Sequence, residues 1–108
     1  MGDGLGELEQ LVLLALVRLG DEAYGVTVHE QLEQRAGRDV ALGAVYKTLA
    51  RLEAKRLVDA RLGEPTAERG GRAKRHFEIE AAGHQVLNAS QEALRNMSEG
   101  LSRRWKRA

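Results

Sequence analysis

The sequence contains no cysteine, which excludes disulfide bonds and metal sites built on thiolates. It also lacks a long hydrophobic run, because the longest apolar stretch, residues 11–17, is far shorter than the ~20 residues that span a bilayer. The N-terminal residues show no positively charged segment leading into an apolar one, so we expect no secretory signal. These absences lead us to expect a cytoplasmic protein with no membrane partner.

The net charge is also small: the formal value of +1 by itself says little about a nucleic-acid partner. The distribution is more informative, because basic residues cluster around residue 72 and again at the end of the chain. A chain of 108 residues has room for one domain with a modest apolar core. The two basic clusters comprise Arg69, Arg72, Lys74 and Arg75, and Arg103, Arg104, Lys106 and Arg107.

Hydrophobic periodicity predicts three short helices in the first half of the chain. The first covers residues 5–19 and is apolar on nearly every face, which is typical of a helix at the centre of a core. The second covers about residues 24–36 and the third residues 44–56, each with apolar side chains on one stripe. Three short helices with tight connections are the helix-turn-helix pattern.

After the third helix the pattern changes from helical spacing to alternation. Val58, Ala60 and Leu62 alternate with polar residues, and so do Phe77 and Ile79. This alternation predicts two strands, each with one buried face. The residues between them are polar, rich in turn formers and basic, so we interpret the pair as a wing that rests on the helices.

From about residue 81 the helical pattern returns, and it predicts a single helix to residue 108. Leu87, Leu94 and Leu101 are spaced by seven, with Met97 at an intermediate core position. A helix of this length, about 40 Å, exceeds what the small preceding domain can cover. We therefore predict that these four residues form the seam of a homodimer.

These elements together predict a fold that is mainly α with a small β-hairpin. Residues 5–80 would form a winged helix-turn-helix DNA-binding domain, and residues 81–108 a C-terminal dimerisation helix. The third helix is the candidate for reading a major groove, because its face opposite the core carries basic and small residues. The predicted DNA-binding residues are Ala44, Tyr46, Lys47, Thr48, Arg51 and Lys55 in the helix, and Arg69, Arg72, Lys74 and Arg75 in the wing.

Several segments resemble the PadR family of bacterial transcriptional regulators. Tyr24-Gly25 is similar to the start of the family's second helix, and Gly83 to the glycine that opens its last helix. The family's recognition-helix signature is similar to residues 42–53, LGAVYKTLARLE, and its wing-strand signature to residues 71–79, GRAKRHFEI. The resemblance implies a winged-helix homodimer that represses promoters through a palindromic operator. It further implies DNA contacts from Tyr46, Lys47, Arg51, Arg72 and Lys74.

The resemblance covers roughly residues 5–101 and is to the subgroup with a single terminal helix. The chain departs from the family at three positions: Lys47 stands where proline is frequent, Arg56 where glycine is usual, and Glu80 where threonine is usual. Lys47 adds charge to the predicted DNA face. Arg56 changes the turn into the first strand, and glutamate is a poorer N-cap than threonine.

Two other functional interpretations remain. A winged helix can dock a protein partner, with the basic wing facing an acidic surface and with no affinity for DNA. The protein can also be a sensor that releases DNA when it binds a flat aromatic effector, a role that the resemblance extends to Trp105.

No sequence motif indicates catalysis. A Ser-His-Asp order, a glycine-rich phosphate loop and a carboxylate pair are all missing from the sequence. The three histidines, His29, His76 and His84, include no pair at helical i, i+4 spacing. We therefore expect no enzyme activity, no cofactor and no metal.

Overall fold

The computed structural model describes residues 4–63 and 74–101 of the chain. These residues form four α-helices, a 3₁₀ turn and one antiparallel pair of strands, which confirms the predicted mainly α fold with a small β-hairpin. No helix within them is long and apolar enough to span a bilayer. The elements are α1 (Glu7–Leu19), the 3₁₀ turn (Gly20–Glu22), α2 (Gly25–Gln34), α3 (Leu42–Ala54), β1 (Val58–Leu62), β2 (Arg75–Ile79) and α4 (Ala81–Ser98).

Helix α1 lies at the centre of the fold, as its apolar composition predicts. It contacts α2, α3, β2 and α4, and it contributes more buried side chains than any other described element. Burial of these apolar groups is the main stabilising contribution in a domain of this size. The core comprises Val12, Leu13, Ala15, Leu16, Ala23, Val28, Leu32, Val45, Leu49, Leu52, Leu57, Val58, Phe77 and Leu87.

The start of α2 is held by the side chain of Thr27. Its hydroxyl oxygen accepts a hydrogen bond from the backbone N–H of Tyr24 at 2.9 Å and donates to the carbonyl of Glu22 at 2.6 Å. One side chain therefore connects the 3₁₀ turn to the first turn of α2. This fixes the direction in which α2 leaves the preceding turn.

The hairpin is packed on the core at its base and is more exposed at its outer end. Val58 and Phe77 are buried, and the N–H of Phe77 donates to the carbonyl of Ala23 at 2.9 Å. At the outer end, Leu62 is exposed. The expectation that Leu62 shares the buried face of its strand is wrong, because its side chain is exposed at the outer end of the hairpin.

The turn from α3 into β1 places Arg56 in the left-handed region, with φ of 64°. The N–H of Leu57 donates to the carbonyl of Leu52 at 3.0 Å, and that of Arg56 to the carbonyl of Glu53 at 2.9 Å. This is a Schellman ending, in which glycine is the usual residue at the left-handed position. The departure noted at Arg56 therefore falls on a position where a side chain is unfavourable.

Helix α4 begins where the sequence predicts, directly on the backbone of the α3–β1 turn. The N–H of Glu80 donates to the carbonyl of Leu57 at 2.9 Å. A Cβ atom at Gly83 would overlap that same carbonyl oxygen, so glycine permits the close approach. The side chain of Glu80 makes no capping hydrogen bond, which agrees with its weakness as an N-cap.

Helix α4 is shorter than predicted, and one residue of its predicted dimer seam, Leu87, is buried in the core and cannot contact a second copy. The prediction of a helix to residue 108 is wrong: α4 ends at Ser98, and Gly100 adopts φ of 83°, a left-handed conformation that ends helices. The helix is therefore about 27 Å long rather than 40 Å. Leu87 is buried in the chain's own core, whereas Leu94 and Met97 are exposed. Trp105 lies outside the described residues.

We predict that Arg56→Gly stabilises the protein. Glycine removes the left-handed penalty of about 1–2 kcal/mol, and its greater freedom in the unfolded chain offsets part of that gain, which leaves about 1 kcal/mol. Urea unfolding followed by circular dichroism measures the change. Arg56→Ala is the control, because it removes the same charge but keeps a Cβ. Equal stabilisation by both variants would show that charge, not backbone conformation, is responsible.

Candidate nucleic-acid interface

The exposed face of α3 carries two cations among small residues. Lys47 and Arg51 are exposed and lie one turn apart on the outer side of the helix. The residues around them are short, so a flat surface could approach the helix backbone closely. The small exposed residues of this face are Gly43, Ala50 and Ala54.

The prediction that Thr48 lies on the exposed, DNA-facing side of α3 is wrong. Its side chain is buried, and its hydroxyl donates to the carbonyl of Ala44 at 2.9 Å within the same helix. Thr48 lies one turn from Val45 and from Leu52, so it belongs to the core face of α3. Ala44 is half-buried beside it. The exposed face of α3 is therefore displaced around the helix axis from the predicted face, away from Ala44 and Thr48.

Lys55, another predicted DNA contact, forms an ion pair within the protein. Its Nζ lies 2.9 Å from Oε2 of Glu9, a residue of α1 whose side chain is only 8% exposed. The other oxygen of that carboxylate accepts the N–H of Gly6 at 3.0 Å. Burial raises the pKa of Glu9, but the hydrogen bonds from Lys55 and Gly6 and the nearby charge of Arg51 outweigh it and lower the pKa below 4.5. The carboxylate is therefore ionised at neutral pH and fixes the end of α3 to α1.

Tyr46 is half-exposed and packs against the first turn of α2. A Cβ atom at Gly25 would overlap its ring, so the two helices approach each other closely at this point. The ring is in contact with the protein while part of the side chain remains accessible, at 43% exposure. Tyr46 therefore lies between the core and the outer face of α3. The contact holds the N-terminal half of α3 against α2.

Two histidines contact backbone carbonyls in the connections between elements. Nε2 of His29 lies 2.6 Å from the carbonyl oxygen of Val40, which anchors the connection between α2 and α3. Nε2 of His76 lies 3.1 Å from the carbonyl oxygen of Gly20. Because a carbonyl can only accept, each of these nitrogens is the protonated one.

Of the four predicted wing contacts, the structure describes Lys74 and Arg75, and both are engaged with helices. Nζ of Lys74 lies 5.0 Å from the ring centroid of Tyr24, at the start of α2. The guanidinium of Arg75 pairs with Glu53 of α3 at 3.3 Å. Arg69 and Arg72 lie outside the described residues.

Sequence reasoning missed the partners of these cations. Glu9, Glu53 and Tyr24 were not identified as part of the site, and neither was the close packing of Tyr46 on Gly25. Glu9 and Lys55 are 46 residues apart, and Glu53 and Arg75 are 22 apart. No spacing rule connects residues at such separations. Only the occurrence of Glu9 in the first turn of a helix, where acids are common, could have drawn attention to it.

Three helices followed by a hairpin that is attached to them define a winged helix-turn-helix fold, a class to which many transcription regulators belong. A family model described as the transcriptional regulator PadR-like family matches residues 13–89. The chain belongs to this family and is a transcriptional regulator of the PadR type. A comparison with curated protein sequences found no match.

Solved structures of similar proteins share the fold. A PadR family transcription regulator from hypervirulent Clostridium difficile R20291 has a TM-score of 0.74 and 19% identity, with 91% of this chain and 97% of that chain covered. A PadR-like transcriptional regulator from Bacillus cereus has a TM-score of 0.72 and 20% identity, with 89% and 88% covered. A PadR-like transcription factor from Bacteroides fragilis has a TM-score of 0.72 and 23% identity, with 89% and 87% covered.

We predict that Glu9→Gln lowers stability at neutral pH and that the deficit shrinks in acid. The pKa of Glu9 is lowered in the folded protein, so its contribution is present above the unfolded value of 4.5 and is lost as the pH falls through the folded pKa. At pH 7 we expect a loss of about 1 kcal/mol, because Lys55 is partly solvated.

Urea unfolding of both proteins at a series of pH values tests this prediction. Glu30→Gln, at an exposed position of α2, is the control and should differ from the wild type by a constant amount. A deficit for Glu9→Gln that stays the same from pH 7 into acid would contradict the assigned ionisation.

Proposed function

We propose that the protein is a sequence-specific DNA-binding repressor that binds a palindromic operator as a homodimer, with α3 in the major groove. The observation that carries this proposal is the exposed face of α3, where Lys47 and Arg51 lie among glycine and alanine. Lysine and arginine can bind the acceptor edge of guanine or a phosphate, and the small residues permit close approach to the groove floor.

The same face favours DNA over a protein partner. The centres of protein–protein interfaces are depleted in lysine and enriched in aromatic and apolar side chains. Here the outer face of α3 carries two exposed cations among small side chains, and its larger exposed apolar side chains, Leu42 and Tyr46, lie toward its edge. The interaction-module interpretation would need a larger apolar surface than this face provides.

The exposed end of α4 supports dimerisation. Leu94 is 61% exposed and Met97 76% exposed, both beyond Leu87, where α4 last contributes to the core. Leu101 is exposed as well. We propose that a second copy of the chain covers these side chains, so the revised seam is Leu94, Met97 and Leu101. A two-fold dimer predicts operator half-sites about 34–36 Å apart.

The wing is proposed to supply phosphate contacts from the basic residues between the strands. Arg69 and Arg72 are the residues that the family resemblance and the charge pattern favour for this role. Each phosphate they neutralise would release counterions, so affinity should fall steeply as salt increases.

We predict that Lys47→Ala and Arg51→Ala each weaken operator binding about tenfold or more, because each removes a cation from the proposed groove-facing stripe. Fluorescence anisotropy measures this, with operator DNA obtained by selection from random sequences. Thr48→Val is the matched control: it lies between the two residues in sequence, but its side chain is buried and should not matter for affinity.

Three outcomes would contradict the proposal. The first is unchanged affinity in both cation variants, which would exclude α3 as the reader. The second is a loss of affinity in a folded Thr48→Val protein, which would mean that this side chain reaches DNA. The third is that no DNA is selected even at low salt, which would favour the interaction module. Repression itself is tested with a reporter fused to the selected operator, whose expression should fall when the protein is present.

We predict that Leu94→Asp converts the dimer to a folded monomer, because it places an unpaired charge in the proposed apolar seam. Sedimentation velocity measures the oligomeric state and circular dichroism the fold. Asn96→Asp is the control, since it adds the same charge to α4 about 200° around the helix from Leu94. A dimer that survives Leu94→Asp would place the interface elsewhere.

A further inference from the structure

The outer end of the hairpin is held by contacts different from those at its base. At the base, Val58 and Phe77 are buried in the core. At the outer end, Leu62 is exposed, and the strands are joined by a hydrogen bond from the N–H of Gly63 to the carbonyl of Lys74 at 2.8 Å. A two-stranded ribbon of this kind is marginally stable without other support. The backbone hydrogen bond from Phe77 to Ala23 holds the base, so the orientation of the outer end depends on the side chains that connect it to the helices.

Arg75 connects the outer end of the hairpin to α3. Its Nη2 lies 3.3 Å from Oε1 and 3.4 Å from Oε2 of Glu53, and its guanidinium carbon lies 5.8 Å from the ring centroid of Phe77. The aromatic ring and the carboxylate together restrict where the guanidinium can lie.

Lys74 connects the same end of the hairpin to α2. Its Nζ lies over the ring of Tyr24, which in turn packs edge to face with His76 at a centroid distance of 5.8 Å. Successive residues of an extended chain point to opposite faces. Lys74 and Arg75 therefore fasten the hairpin on two sides, one to each helix of the helix-turn-helix.

We propose that Glu53 and Arg75 are positioning residues, which fix the angle between the wing and α3 so that both can contact the same DNA duplex. This inference rests on the proposed DNA-binding function. It assigns Arg75 a different role from the phosphate contact that its charge alone indicates. It also gives Glu53, an acid on the recognition helix, a reason to be beside a polyanionic ligand.

The charge of Glu53 separates the two roles of Arg75. If Arg75 binds phosphate, Glu53 only competes with DNA for the guanidinium, and its neutralisation should strengthen binding. If the pair sets the angle of the wing, neutralising Glu53 should weaken binding although it removes a negative charge near DNA. The two hypotheses therefore predict opposite signs for one substitution.

The experiment measures operator affinity by fluorescence anisotropy over a range of salt for Glu53→Gln, Arg75→Gln, the double variant and the swapped pair E53R/R75E. We expect each single variant to bind about three- to tenfold more weakly, because each of two wings in a dimer loses one partly exposed pair. The double variant should lose no more than either single variant, because both remove the same interaction. The swapped pair should restore binding, and the slope of log K against log salt should match that of the wild type.

Tighter binding by Glu53→Gln would overturn the inference. It would also be overturned if, for Arg75→Gln, the slope of log K against log salt were smaller by about one for each protomer, which is the signature of a lost phosphate contact. Unchanged affinity in all the variants would overturn it as well. Circular dichroism confirms that each variant is folded, so a purely structural effect on stability is separated from an effect on affinity. If the wild type itself binds no DNA, the proposed function fails. If the wild type binds DNA and the variants bind it equally well, only the inference about Glu53 and Arg75 fails.

Discussion

The backbone carbonyl of Leu57 is the point at which α3, the hairpin and α4 meet. The left-handed Arg56 turns the chain out of α3 so that this carbonyl accepts the N–H of Glu80. Gly83 packs on the same oxygen, where any side chain would overlap it. Since α4 carries the proposed dimer seam, the direction it takes from this junction would set the separation of the two recognition helices, and with it the spacing of the operator half-sites.

Helix α3 is held against the rest of the domain at both ends by different interactions. Near its N-terminus, the ring of Tyr46 packs against Gly25 of α2. At its C-terminus, Lys55 forms an ion pair with the buried carboxylate of Glu9 in α1. Between these points the core face packs on α1 and α2, and the outer face carries no element of the described chain. If α3 binds DNA as proposed, its fixed position means that little conformational freedom would be lost on binding.

The order and type of the elements could be predicted because each has a strong local pattern, but packing at the junctions could not. The apolar stripe of the third helix was predicted correctly, but Thr48 lies on that same face beside Val45 and Leu52, although its spacing from Lys47 and Arg51 had placed it on the opposite face. Likewise, the seven-residue spacing joined Leu87 to Leu94, although one packs in the core and the other is exposed. Whether a residue of α4 is buried depends on how far along the helix the rest of the domain reaches, and no local sequence pattern shows this. The ion pairs Glu9–Lys55 and Glu53–Arg75 connect distant parts of the chain, so they became visible only in the fold.

The pairing of basic side chains with acids inside the protein has a consequence for how a regulator searches a genome. Lys55 is paired with Glu9, Arg75 with Glu53, Arg38 with Glu7 and Arg61 with Glu78. A cation that is already paired attracts phosphates less, and attraction to phosphates is the same for every stretch of DNA. A protein of this kind would leave random sequence readily. The cations of α3 that form no ion pair with another described residue, Lys47 and Arg51, would then account for a larger share of its preference for the operator over the many competing sites.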